Sequence, residues 1–123
     1  MIKVLITDKL AQEGIDLLNS TDGVEAVVKT SISEDELARI IGEHDGLIIR
    51  SGTKVTAKVL ANPGKLKAIA RAGVGVDNID IPEATRKGIL VMNTPGGNTL
   101  SAAEHTMALI LAMSQMLFLP AIA

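Results

Sequence analysis

Two arginines, Arg50 and Arg71, each stand where a strongly apolar run gives way to a loop of small residues. The runs are Leu47-Ile48-Ile49 ahead of Arg50 and Leu66-Lys67-Ala68-Ile69-Ala70 ahead of Arg71, and Ala72-Gly73-Val74-Gly75-Val76-Asp77-Asn78 follows the second. If both runs are parallel strands, their carboxyl ends share one edge of a sheet, which is where open α/β folds bind ligands. A planar guanidinium takes carboxylate or phosphate through two parallel hydrogen bonds, so a pair of guanidinium groups on that edge suits a small anionic metabolite. The competing expectation for either arginine alone is a solvated side chain or a local ion pair.

Gly73-Val74-Gly75 adds backbone N–H groups that can come close to an anion beside Arg71. The same residues tempt a dinucleotide reading, but Asn78 stands at the third glycine position and the next capped helix begins only near Asp80. Met92 and Asn93 occupy the place where an acidic residue would hold a ribose. A tight turn with positive φ at Gly73 or Gly75 is the alternative, and it is compatible with anion contact. His44 and His105 have no metal-ligand spacing and read as structural, and the lack of cysteine excludes thiolate chemistry and disulfides. No metal site is expected. His105 falls in an apolar segment, where burial opposes its charging.

The elements that must position these residues are short β-branched runs alternating with helical spacing. The runs are Val4-Leu5-Ile6, Ala26-Val27-Val28, Leu47-Ile48-Ile49, Ala68-Ile69-Ala70 and Leu90-Val91-Met92. They are continuous rather than alternating, as strands covered on both faces are, so an α/β domain with a parallel sheet of five strands is expected. Leu10, Ile15, Leu17 and Leu18 give the first helix its buried face. Ser33 through Glu36 and Asp80 through Glu83 read as capping boxes, with Gly42 and Gly88 as stops, and Thr56 as the cap of a short helix through Val59 and Leu60. After the turn-rich Asn93 to Asn98, a third capping box at Ser101 to Glu104 opens a helix that is apolar nearly all round from Met107 to Phe118. Such a helix needs a covering surface, which implies another domain or a second copy of the chain.

At 123 residues and 47% hydrophobic composition, one compact domain is expected rather than two. A net charge of −2 and no basic block argue against nucleic acid, and a single Phe with no Trp or Tyr leaves little for stacking on bases. The apolar stretch from Thr106 to Ala123 is interrupted by Ser114, Gln115 and Pro120, so no membrane span is expected. The first apolar run is too short for a secretory segment, and a cytoplasmic protein is expected.

The strings Arg71-Ala72-Gly73-Val74-Gly75-Val76-Asp77-Asn78-Ile79-Asp80, Gly88-Ile89-Leu90-Val91-Met92-Asn93-Thr94-Pro95 and Gly97-Asn98-Thr99-Leu100-Ser101-Ala102-Ala103-Glu104-His105 resemble the NAD-dependent D-2-hydroxyacid dehydrogenases. Within that family the likeness is greatest to members that act on 3-phosphoglycerate or 3-phosphohydroxypyruvate in serine biosynthesis. The resemblance implies a flavodoxin-like substrate-binding domain over residues 1–98, then a hinge and the first helix of a nucleotide-binding domain over 99–123. It makes the backbone around Val74 and Gly75 a cradle for the substrate carboxylate, and places Arg50, Ser51 and Arg71 on the substrate side of the cleft. It puts Asn98 at the hinge, near substrate and cofactor, and Glu104 in the following helix. NAD is the implied cofactor. The family's GxGxxG fingerprint and its catalytic arginine, acidic residue and histidine are not among the 123 residues, so the implied role is substrate binding rather than complete catalysis.

A second expectation is a non-catalytic binding or dimerisation module that pairs through the apolar last segment. A phospho-acceptor receiver domain shares the alternation and would use Asp8. It is disfavoured because the third strand runs into Arg50 instead of an aspartate able to take a phosphoryl group.

Overall fold

Each of the five apolar runs becomes a strand in the computed structural model, which describes residues 2–9, 12–72 and 77–94. Val74, Gly75, Asn98, Leu10 and the apolar segment 101–123 lie outside the described residues. The strands are β1 (Ile2–Ile6), β2 (Val24–Val28), β3 (Gly46–Ile49), β4 (Ala68–Ala72) and β5 (Leu90–Thr94). All pair in parallel, in the order β2-β1-β3-β4-β5. This is the flavodoxin-like order, whose switch point lies between β1 and β3.

The register explains why continuous apolar runs were needed. Val27, Leu5, Leu47, Ile69 and Val91 are successive partners across the sheet and form one apolar row on one face. Leu37 and Ile41 from helix α2 (Glu34–Ile40) and its 3₁₀ extension (Ile41–Glu43) pack there, with Ala84 of α3 (Ile81–Arg86). The opposite face carries Val28, Ile6, Ile48, Ala70 and Met92 in register. Val4, Ile6 and Ile48 on that face pack with Leu18 of α1 (Gln12–Ser20). Ile15 and Leu17 are only half-buried there. At roughly 25 cal/mol per Å², these two layers supply the main driving force for folding.

The helix starts follow their caps. Ser33 Oγ accepts from the Glu36 N–H at 3.1 Å, and Asp80 Oδ1 accepts from the Glu83 N–H at 3.1 Å, with Pro82 placed where its missing N–H costs nothing. Gly88 ends α3 with φ +75°. Asp80→Ala is expected to destabilise the fold by about 1 kcal/mol, read as a lowered denaturant midpoint, because α3 loses its cap. An unchanged midpoint would mean that packing alone holds α3.

The expected helix after Thr56 does not form. Thr56 does cap, accepting from Val59 N–H at 3.4 Å, but the chain makes a single turn, closed by Leu60 N–H to Thr56 O at 3.0 Å. Ala61-Asn62-Pro63-Gly64 then cuts it short, since Pro63 disfavours helical geometry at Asn62 and Gly64 adopts φ +54°. This turn is linked to α2 by Thr56 Oγ1 donating to Glu34 Oε2 at 2.6 Å and by Lys58 paired with Asp35. The hydrogen bond from Lys58 holds the Asp35 carboxyl below its ordinary range, and the same bond raises Lys58.

At the amino edge of the sheet, His44 is buried and donates from Nδ1 to Ile40 O at 3.0 Å. That is the structural role expected of it. Asp45 beside it accepts from the Lys3 N–H at 2.9 Å, and Lys67 Nζ lies 3.5 Å from its other oxygen.

Candidate functional site

The carboxyl edge of the sheet changes chemistry abruptly. Two residues along from the row of Leu47 and Ile69, on the same face, the partners become Ile49, Arg71 and Asn93. Arg71 is therefore held in β4 itself and is 9% exposed, whereas Arg50 lies just past β3 and is exposed. The two arginines stand at the ends of adjacent parallel strands, as the sequence leads one to expect. Their settings differ. One is buried in the sheet edge, and the other is carried on a surface loop.

That loop, Arg50-Ser51-Gly52-Thr53, is fastened from two sides. From β1's side, Asp8 Oδ2 accepts the Arg50 N–H at 2.6 Å and the Thr53 N–H at 3.1 Å. From β4's side, Asn78 Nδ2 donates to Arg50 O at 2.8 Å and to Thr53 O at 2.6 Å. Both of Asn78's partners are carbonyls, so its NH₂ group must face them and its oxygen must turn away. That oxygen is buried and has no hydrogen-bond partner among the described residues. Thr7 and Thr53 hydroxyls join at 2.8 Å, and Arg50 Nη1 donates to Lys9 O at 3.4 Å. Val55 bridges Ile79 next door, through Val55 N–H to Asn78 O and Asp80 N–H to Val55 O, each 2.8 Å.

Ser51 lines an open cleft of about 520 Å³ together with Lys54, Thr56, Asp77, Asn78 and Asp80. A second cleft of about 450 Å³ lies across the switch point, lined by Thr7, Asp8, Lys9, Thr30, Ser31 and Thr53. The structure thus brings Arg50, Ser51 and Arg71 to one edge, and Val74, Gly75 and Asn98 fall outside the described residues. Among the described residues there is no group of three or more His, Asp or Glu side chains able to hold a metal, and no helix long and apolar enough to cross a membrane.

Two residues of the site were not legible as such. Asp8 stood out only as the acceptor a receiver domain would use, a reading that Arg50 disfavoured, and Asn78 only as a failed third glycine. Their partners are 42 and 28 residues away along the chain, so no local pattern reveals them.

Known proteins are similar to this chain in sequence and fold. The D-3-phosphoglycerate dehydrogenase of Synechocystis sp. is 50% identical over 115 residues, which are 94% of this chain and 20% of that protein. The D-3-phosphoglycerate dehydrogenase of Archaeoglobus fulgidus is 48% identical over 114 residues. The chain spans about a fifth of the length of these curated relatives. Among solved structures, the NAD⁺-bound 3-phosphoglycerate dehydrogenase of Entamoeba histolytica superposes with a TM-score of 0.69 at 32% identity, covering 77% of this chain and 33% of that one. Residues 4–118 match the family described as D-isomer specific 2-hydroxyacid dehydrogenase, catalytic domain, and the chain belongs to that family.

Proposed function

We propose that this chain is the substrate-binding portion of a D-3-phosphoglycerate dehydrogenase-like oxidoreductase, which oxidises a phosphorylated 2-hydroxy acid with NAD in serine biosynthesis. The observation that carries the reading is the placement of Arg50-Ser51 and Arg71 at the carboxyl ends of neighbouring parallel strands. Two guanidinium groups there match an anion with a phosphate and a carboxylate. In the same reading Val74 and Gly75 cradle the carboxylate and Asn98 lies at a hinge. Residues 1–98 form the substrate-binding domain, and 99–123 begin a nucleotide-binding domain or pair with a second copy. The setting is cytoplasmic.

Oxidising a 2-hydroxy acid requires a base, a cation to hold the substrate and a nicotinamide to accept hydride. The described residues suit the second of these tasks. They do not fit the dinucleotide, because its pyrophosphate needs the open N-terminus of the helix that follows the glycine turn. Here α3 starts only at Ile81, and the Asp80 carboxylate already occupies its N-terminus.

Isothermal titration of the chain with 3-phosphoglycerate, and separately with NAD, tests the proposal. Binding of 3-phosphoglycerate alone is expected. Binding of NAD alone would contradict it, and silence with both would favour a purely assembling module. Arg50→Ala is expected to weaken 3-phosphoglycerate binding by about 1.5–3 kcal/mol through loss of a charged hydrogen bond. The exposed site implies a stability change within about 0.5 kcal/mol. Unchanged affinity in this variant would remove Arg50 from the site.

A further inference from the structure

We propose that Asp8 and Asn78 are positioning residues that hold the Arg50–Thr53 loop in its anion-binding shape. The proposal rests on the reading of Arg50 and Ser51 as part of the substrate's anion site.

The pattern of contacts is unusually complete for a surface loop. The N–H groups of its first and last residues converge on one oxygen, Asp8 Oδ2. The C=O groups of the same two residues converge on one nitrogen, Asn78 Nδ2. All four backbone groups at the loop's ends are thereby satisfied by side chains from two other strands' loops, one on each flank. The Thr7 and Thr53 hydroxyls add a further tie.

Arg50, Ser51 and Gly52 are themselves exposed, so burial does little to order them. A loop of this kind normally samples many shapes, and fixing each residue costs roughly 1–2 kcal/mol. The clamp meets that cost during folding, before any ligand arrives. An anion then meets donors already in place, and preorganisation of this sort raises affinity without adding a contact. Asn78 also stands just ahead of α3, so its two bonds tie the Arg50 loop to the described stretch 77–80. Asp8 does the same toward β1.

A double-mutant cycle separates positioning from general support, because it measures coupling to the Arg50 side chain rather than total stability. In the native background, Asp8→Ala and Asn78→Ala are each expected to reduce 3-phosphoglycerate affinity about tenfold. In an Arg50→Ala background the same changes are expected to reduce the residual affinity by less than about threefold, while lowering the melting temperature equally in both backgrounds. Equal affinity losses in both backgrounds, or none in the native one, would overturn the positioning role and leave the anion site standing. If the native chain does not bind 3-phosphoglycerate, or Arg50→Ala binds it normally, the underlying reading fails and this one with it. Amide hydrogen exchange on the unmutated protein provides a check that no folding defect can obscure. Arg50 and Thr53 N–H groups are expected to exchange slowly, and unprotected exchange at both would also overturn the proposal.

Discussion

Truncating Leu47 to alanine is expected to cost about 3–5 kcal/mol, the upper part of the range for such core substitutions. Leu47 is fully buried, and its register partners on either side are Leu5 and Ile69. The backbones of those neighbours are fixed by parallel ladders, so the walls of the new cavity cannot close in. The cost depends on that ability to collapse, which is why a central position on the middle strand lies near the maximum. Urea unfolding of the variant should show a lower midpoint with an unchanged slope. A loss below about 1 kcal/mol would mean that the sheet yields far more readily than its register implies.

Gly64→Ala is expected to cost about 3 kcal/mol for two separable reasons. Gly64 has φ +54°, a conformation that L side chains rarely adopt. A Cβ there would also stand 2.6 Å from the Gly42 carbonyl oxygen and 2.7 Å from its Cα. These are backbone atoms, and that same carbonyl accepts from Lys65 N–H at 3.0 Å, so the neighbour has little freedom to retreat. Gly88 supplies the control. Its φ is +75°, yet an added Cβ would meet nothing within 4 Å. Gly88→Ala should therefore show the conformational part alone, about 1 kcal/mol, and the difference between the two unfolding free energies isolates the collision. Equal losses would show that the Gly42–Gly64 contact relaxes freely.

Much of this architecture is legible in the sequence because its signals are local. Each apolar run marked a strand, and Ser33 and Asp80 marked their helices, since a cap acts within three residues. The short helix after Thr56 failed because a correct cap cannot extend a helix into Pro63. The different settings of Arg50 and Arg71 were hidden for another reason. A strand buried on both faces carries no polar alternation, so nothing in Ala68-Ile69-Ala70 reveals that Arg71 stays within the sheet while Arg50 leaves it. Asp8 and Asn78 were hidden because their roles exist only once distant loops have been brought together by strand order. Membership of the family does not reveal these contacts either.

Gly52 carries one more consequence. A Cβ there would stand 2.7 Å from Asp8 Oδ1, so a side chain at position 52 requires the Asp8 carboxylate to shift from its place. Conversely, removing Asp8 to make room strands the N–H groups of Arg50 and Thr53. A change at either position alone therefore disturbs the loop's ties. Two positions far apart along the chain thus constrain each other, one by its carboxylate and the other by having no side chain at all.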